Sequence, residues 1–427
     1  MSNRHLAKLF LTTFSLIFLI FPTFLHSRDR VHFHATSPMW QGPRFEKPWL
    51  GSLDISVLKG SSNESRSHRG CTTCLLDLYG TYNMRLLAEN VPTLDSTNPL
   101  DATAIELSTI DASNCFAHLS FAGNFRTKQV DFTYTQNFSR GLFATIHCPS
   151  RSFTLNCIRY KDLSPDEPET PNKNNETWKT FLQQFDDLLL HHNIDVSSYK
   201  KTDFGDTTLL FGLTKNYEDT VVLDYFDATL QGGVLFPTGK KRDPNKIFSL
   251  PHGYNGHFAF SFACDCAFGL YEWFTMTSHF DVLLFKSKIK PMHIKTSWQQ
   301  SGIIKLAKTD VKIRPGHTIL AGFSFLADHV FQGFSFGLGY GFSYKGDDTI
   351  TPCDKSQFDN TIINSDQMFK AWKRHTIHFL FTYDFTQKNA RFGPRIGIFY
   401  NWNVGGKRIF KASTGGVNFG LDIDFSF

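Results

Sequence analysis

The chain has 427 residues, with 44 Lys and Arg against 39 Asp and Glu and a formal net charge of +5. That length holds one large domain or two modest ones, and the mean hydropathy of −0.24 is that of a water-soluble protein. The charge is too mild and its bases too dispersed for a nucleic-acid partner, and no recognised nucleic-acid-binding motif is present. Phenylalanine points elsewhere: 45 Phe beside 30 Gly exceed what a soluble core needs. A membrane barrel accounts for both the Phe content and the hydropathy. Every second residue of each strand faces lipid, while its neighbours face a wet interior.

Taken in chain order, residues 1–27 read as a secretory signal peptide. Arg4, His5 and Lys8 form a positive start, Leu9 to Leu25 is a nearly unbroken apolar run, and Pro22 and Ser27 suit a cleavage region. The mature chain then starts near Arg28. The alternative is an uncleaved anchor helix. Residues 28–48 form an N-terminal segment, periplasmic or folded as a plug, and 49–427 the barrel. No later stretch approaches the roughly 18–20 apolar residues of a spanning helix. A membrane-spanning remainder must therefore be a closed barrel, the other way to pair all backbone polar groups in lipid.

Candidate strands in the N-terminal half lie at 50–58, 73–83, 114–125, 128–138 and 141–157. In 128–138, Val130, Phe132, Tyr134 and Phe138 take the outward positions, with Gln136 interrupting. Residues 161–203 open polar and then place Trp178, Phe181, Leu182, Phe185, Leu188 and Leu189 on one helical face. This predicts a loop helix, either folded into the lumen or packed on the rim.

The pattern sharpens towards the C-terminus. Weaker alternation runs through 207–214, 222–236, 274–286, 317–327 and 376–385. In 257–269, Phe258, Phe260, Phe262, Cys264, Cys266 and Phe268 alternate with His257, Ala259, Ser261, Ala263, Asp265, Ala267 and Gly269. In 333–344, six aromatic or leucine positions alternate with Gly and Ser. In 391–402, Phe392, Pro394, Ile396, Ile398, Tyr400 and Trp402 alternate with Arg391, Gly393, Arg395, Gly397, Phe399 and Asn401. In 417–427, Val417, Phe419, Leu421, Ile423, Phe425 and Phe427 alternate with Asn418, Gly420, Asp422, Asp424 and Ser426. Eleven residues of strict period 2 suit a tilted strand crossing a bilayer and exceed the usual 5–6 of a soluble strand. Tight turns at 386–390, 328–332, 270–273 and 215–219 alternate with long polar loops at 345–371, 287–316 and 237–256. Barrels of the outer membrane show this asymmetry. The expected fold is all-β: an antiparallel up-and-down transmembrane barrel of about 14 strands, with 12 or 16 open, long extracellular loops and one short loop helix.

On Leu421, Ile423, Phe425 and Phe427 the chain resembles the bacterial outer-membrane β-barrel class, of the porin or solute-transporter type. Its members end in an alternating apolar strand with a terminal Phe. The resemblance implies an outer-membrane location and insertion by the barrel-assembly machinery through this C-terminal signal. The segment Gly233-Val-Leu-Phe-Pro-Thr-Gly239 resembles a Pro-Thr-Gly feature of barrels that transport small solutes or aromatic compounds. The fatty-acid transporter class has about this strand count. Its Asn-Pro-Ala hatch signature is missing near the mature N-terminus, so none of its ligand residues carries over.

Eight cysteines in an exported chain invite a disulfide reading. Cys148 and Cys157 would oppose each other across a hairpin connection at 149–156, which makes them the candidate pair. Cys264 and Cys266 share a lipid-facing side. Cys71 and Cys74 form C-x-x-C without a second pair to complete a zinc site. The 17 histidines scatter, and neither His32/His34 nor His191/His192 has the i, i+4 spacing of a zinc helix. No metal, cofactor or catalytic residue is expected, and neither G-x-S-x-G nor a P-loop is present.

The alternation puts Asp384, Arg391, Arg395, Asp422 and Asp424 on the inner wall, with Asp384 just across a short turn from Arg391. Opposed charges on a water-filled wall sort solutes by charge and dipole; equally, they can simply pair with one another. Lys240, Lys241, Arg242 and Lys246 in one loop, and Lys288, Lys290, Lys295, Lys305, Lys308, Lys312 and Arg314 in another, can bind phosphates of outer-leaflet glycolipid, attract anionic solutes, or form a solvated face. The expectation is a channel passing small solutes by passive diffusion through a polar lumen, not an enzyme. The alternative is a non-conducting surface barrel acting as adhesin, receptor or anchor.

Overall fold

The structure, a computed structural model, describes residues 49–425 apart from 113, 167–168, 219–222, 271–272, 332 and 387–390. The expected signal peptide, the segment 28–48 and Phe427 lie outside the described residues. Twelve long strands close into one antiparallel barrel. They are β1 (Leu50–Ser62), β2 (His118–Asn137), β3 (Leu142–Asp162), β4 (Thr207–Glu218), β5 (Tyr225–Phe236), β6 (Ala259–Leu270), β7 (Phe274–Phe285), β8 (Thr318–Phe331), β9 (Phe334–Lys345), β10 (Trp372–Asp384), β11 (Phe392–Lys407) and β12 (Ser413–Asp424). Each pairs with its neighbour in sequence, and the circle closes where β12 pairs with β1, from Leu50↔Asp424 to Ser61↔Ser413.

The side-chain alternation follows the pleat. In β11, Phe392, Pro394, Ile396, Ile398, Tyr400 and Trp402 are exposed, while Gly393, Gly397, Phe399 and Asn401 are buried. In β2, Val130 and Phe132 are exposed and Gln129 and Asp131 buried. Around the outside, Phe211, Leu230, Phe260, Phe262, Phe280, Phe323, Phe336, Phe381, Ile398 and Phe419 present large apolar side chains to the surroundings. A soluble protein does not leave so broad a belt of Phe and Ile in water; lipid is its natural solvent. At the short-turn end the belt finishes in aromatic pairs, among them Trp49 with Phe138 at 6.1 Å, Phe226 with Phe268 at 5.1 Å and Phe334 with Tyr383 at 4.7 Å. Aromatic girdles of this kind flank the lipid-facing band of a barrel at the lipid–water interface. Among the described residues no helix is long and apolar enough to cross a membrane.

The expected count of about 14, with 12 open, resolves to twelve, and the difference lies in the N-terminal half. Segments 114–125 and 128–138 are one continuous strand, β2. Segment 73–83 holds only the short strands Thr72–Cys74 and Tyr82–Asn83, inside the first long connection. β2 and β3 are 20 and 21 residues long, against the ~9–11 that cross a bilayer, so both run well past the membrane on the long-loop side. The ladder between them slips where Asn124↔Asn156 gives way to Ala122↔Arg159, and Cys157 there takes a φ of 54°. The slip reverses the facing of β3. Below it Arg151, Phe153 and Leu155 point inward; above it Tyr160 and Asp162 meet the loop helix.

The expected Cys148–Cys157 bridge is not formed. Residues 149–156 are the middle of β3 rather than a hairpin connection, so the two cysteines lie nine positions apart along one strand. At about 3.4 Å per residue that separation exceeds any disulfide span, and both are free thiols.

If the outer belt faces lipid, replacing Ile398 by Arg at the middle of β11 should cost about 2–4 kcal/mol of stability, and Phe392→Arg at the turn end only about 0–1. Urea titration of the barrel refolded in vesicles reads this difference. Equal costs at the two depths would contradict the placement.

Candidate functional site

The barrel interior is the site the strands build. Its wall is polar and hydrogen-bonded. Asp265 on β6 pairs with His279 on β7 and accepts from Gln231 on β5 at 2.9 Å. Asp281 accepts from Ser261 at 3.2 Å. On β2 and β3 Gln129 bridges Asp131 at 2.6 Å and Arg151 at 3.1 Å, and Arg151 reaches the His252 carbonyl at 2.8 Å. His378 is paired with Asn401 at 2.8 Å, which donates to Thr414 at 3.2 Å. The alternation placed Ser261, Asp265 and Asn401 at inward positions but not their partners, because most of these sit on other strands. The signal was nonetheless present as single polar residues at inward positions of apolar strands.

At the turn end the wall opens. Arg395 on β11 pairs in the ladder with Gly420 on β12, and Gly420 pairs in turn with Asp54 on β1. With no side chain at Gly420 in the way, the Arg395 guanidinium crosses the intervening strand and reaches Asp54 at 3.1 Å, Asp422 at 3.1 Å and Ser52 at 3.0 Å. A Cβ at Gly420 would collide with the Arg395 side chain. Asp384 pairs in the ladder with Arg395, but its carboxylate accepts from the backbone N–H of Thr386 at 2.7 Å. Arg391 is exposed and precedes β11, where its carbonyl accepts from Asp424 N at 3.0 Å. Of the five charges read as inner wall, Arg395 and Asp422 are brought together. Asp384 caps its own turn, Asp424 lies at the strand end, and Arg391 stands on the turn outside the wall. Leu421 and Ile423 take outward positions on β12, and Phe425 beyond it is exposed.

At the other end the long connections fold together over the mouth. Helix α1 (Pro99–Thr109), helix α2 (Glu176–His191) and the short helix α3 (Asn360–Asn364) sit in three of them. Leu75, Met84, Trp178, Phe181, Phe248, Ile294, Leu306, Ile350 and Phe369 come from five separate connections into one buried apolar cluster. That cluster continues onto inward-facing wall residues Leu58, Phe125, Phe153 and Phe399. Phe125 packs between Phe153 at 6.0 Å and Phe410 at 5.0 Å, both rings tilted against it. The loop helix predicted from Trp178 to Leu190 is α2. It packs on the rim, with Trp178 Nε1 donating to Asp162 at 2.9 Å. Trp178, Phe181, Phe185, Leu188 and Leu189 form its buried face. Asp101 of α1 is bonded to His192 at 2.8 Å, and His191 contacts Asn98 at 3.3 Å. This gathers three potential metal donors, each already engaged by a protein partner across the two helices.

Polar groups of the wall above the turn end are closed off beneath this cap. Asp131, Arg151, Asp265, His279, Asp281 and Arg374 are all buried. Near the turns Asp54 keeps 34% and Asp422 28% of its side-chain surface.

Closure, a lipid-facing apolar belt and a polar inner wall define a transmembrane β-barrel of the outer-membrane type. No protein-family model matches the sequence, and no curated protein matches it. Among solved structures the chain is similar to an outer membrane channel from Pseudomonas putida F1, with a TM-score of 0.49 at 8% identity over 90% of this chain and 100% of that one. It is also similar to the translocator domain of autotransporter NalP from Neisseria meningitidis, with 0.36 at 8% over 90% of each, and to the CymD monoaromatic hydrocarbon channel, with 0.31 at 8% over 89% and 90%.

Two measurements test the site. Arg395→Met and Asp54→Asn should show a favourable coupling of about 1 kcal/mol in a double-mutant cycle, because their charges are only partly screened by water; additive effects would contradict the seam network. In the cap, burial raises the Asp77 carboxyl to about 6, against opposing hydrogen bonds from Ser120 and the Phe121 N–H. A carboxyl raised in the fold costs nothing below its unfolded value of 3.8. Its penalty grows as pH rises through 3.8 to about 6 and is complete above that. Amide exchange in 75–91, corrected for intrinsic rates, should therefore be slower at pH 5 than at pH 7, and Asp77→Asn should flatten that difference. The same slope in the variant would contradict the assignment.

Proposed function

We propose that this chain is a bacterial outer-membrane channel for small polar solutes, closed on its loop side in the conformation described. Insertion through the C-terminal strand by the barrel-assembly machinery belongs to the same reading. The observation that carries it is the inner wall. A barrel that only anchors a surface structure can fill its interior with apolar side chains. This one lines it with Asp54, Asp131, Asp227, Asp265, Asp281 and Asp422 against Arg151, Arg374 and Arg395. The acidic excess favours cations, since low-dielectric walls concentrate counter-ions of the opposite sign. Solutes move down their gradient. Passage requires the cap to lift, and the contact most exposed to such motion is the Phe125–Phe153–Phe410 cluster, where loop meets wall.

A second reading, a non-conducting surface barrel, is favoured by the apolar core that joins five connections over the mouth. Conductance separates the two. Residues 28–427, refolded into a planar bilayer, should give brief, infrequent, cation-selective steps. Phe125→Ala with Phe153→Ala should raise their frequency at least tenfold, and Asp265→Asn with Asp281→Asn should lower the cation preference. Silence from both the parent chain and the Phe125/Phe153 variant, each shown folded by circular dichroism, would favour the surface barrel.

A further inference from the structure

The two basic loops of the sequence meet in space. The connections 237–258 and 286–317, with Met368 from the connection before β10, line a half-open cavity of about 310 Å³ on the loop side of the molecule. Lys241, Arg242, Lys288 and Lys290 stand around it, and its apolar lining includes Ile247, Ile313 and Met368, all buried. Neither Asp nor Glu is among its lining residues.

Neutral oxygens hold these cations in place. Lys288 Nζ donates to the Gly256 carbonyl at 3.2 Å, Lys290 Nζ to the Asn255 carbonyl, and the Arg242 guanidinium to the Ile247 carbonyl. Burial, and then repulsion from Lys241, hold Lys288 below the ordinary lysine value. Like charges gathered at one rim raise the energy of the folded loops unless an anion joins them. Lysine and guanidinium groups gathered without a carboxylate are the donors such an anion would take. The buried Ile and Met side chains ask for an apolar body behind the charge.

We propose that this cavity binds a small anion with an apolar body, a phosphate or carboxylate carried on an aromatic or short alkyl group. The same chemistry is offered by a free solute and by the phosphorylated headgroup of a glycolipid in the adjoining leaflet. The site stands independently of whether the barrel conducts.

The test uses the full mature chain refolded in neutral detergent, with calorimetric titration of phenyl phosphate, inorganic phosphate and benzyl alcohol. A parallel arm uses vesicles containing diphosphoryl lipid A. The variants are Lys241→Ala with Lys288→Ala, and Lys355→Ala as an exposed control outside the cavity; heat-modifiable gel migration confirms that each is folded. Phenyl phosphate should bind at least tenfold more tightly than inorganic phosphate or benzyl alcohol. The double variant should weaken it at least tenfold, and Lys355→Ala should leave it unchanged. Binding confined to lipid A vesicles and lost in the double variant assigns the lipid source and still supports the anion site. Binding of neither phenyl phosphate nor lipid A vesicles by the parent chain overturns the proposal. So does affinity that the double variant leaves intact, or inorganic phosphate binding as tightly as phenyl phosphate.

Discussion

A strand crossing lipid has no water to satisfy its backbone, so each N–H and C=O must be paired by another strand and no edge can be left open. Everything else in this molecule depends on that closure. It is made between chain segments at opposite ends of the sequence, where β12 pairs with β1 along its whole length. The side chains reinforce the same seam: Arg395 reaches from β11 over Gly420 to Asp54 on β1, joining three strands. Ser56 donates to Asn418 at 2.9 Å one step further along. Polar groups facing a narrow interior are costly unless paired, and pairing them across the last strand spends them on closure.

The two ends of the barrel answer different solvents. At the turn end short connections and aromatic pairs meet the interface, and the wall charges keep access to water. At the loop end β2 and β3 overshoot the membrane and become the support of a folded cap. The cap is held as a soluble domain is held, by buried Trp, Phe, Leu and Ile, with polar ties between segments. Arg408 donates to the Ala371 carbonyl at 2.7 Å and to Gln367 at 2.6 Å, and Gln300 donates to the Leu86 carbonyl at 3.2 Å. The barrel wall and the cap share residues such as Phe125, so a movement of the loops is felt in the lumen and the reverse.

The C-terminal half was legible in the sequence because lipid enforces its rule without exception along the spanning part of a strand. The facing of Phe392 to Trp402 and of Val417 to Ile423 could be read directly. The N-terminal half obeys that rule over only part of β2 and β3. Their upper parts face α2 and the loops, and the slip at Cys157 reverses the phase, so one long strand read as two or as a hairpin. Leu75, Leu76, Leu78 and Tyr79 looked like strand residues because they are apolar; they are apolar because the cap buries them. The partner of Arg395 was out of reach for a different reason. Asp54 lies 341 positions away, and only the closure of the barrel makes them neighbours. Asp384 and Arg391 are close in sequence, but the ladder gives Asp384 to Arg395.

The whole barrel rests on β11 crossing lipid with its even-numbered residues outward and its odd-numbered residues inward. Nitroxide labels placed singly at 394 to 401, in a chain freed of its native cysteines and refolded in vesicles, test it through collision with oxygen dissolved in the lipid. Collision should alternate strictly, high at 394, 396, 398 and 400 and low at 395, 397, 399 and 401. A uniform profile, or one with the opposite phase, would contradict it.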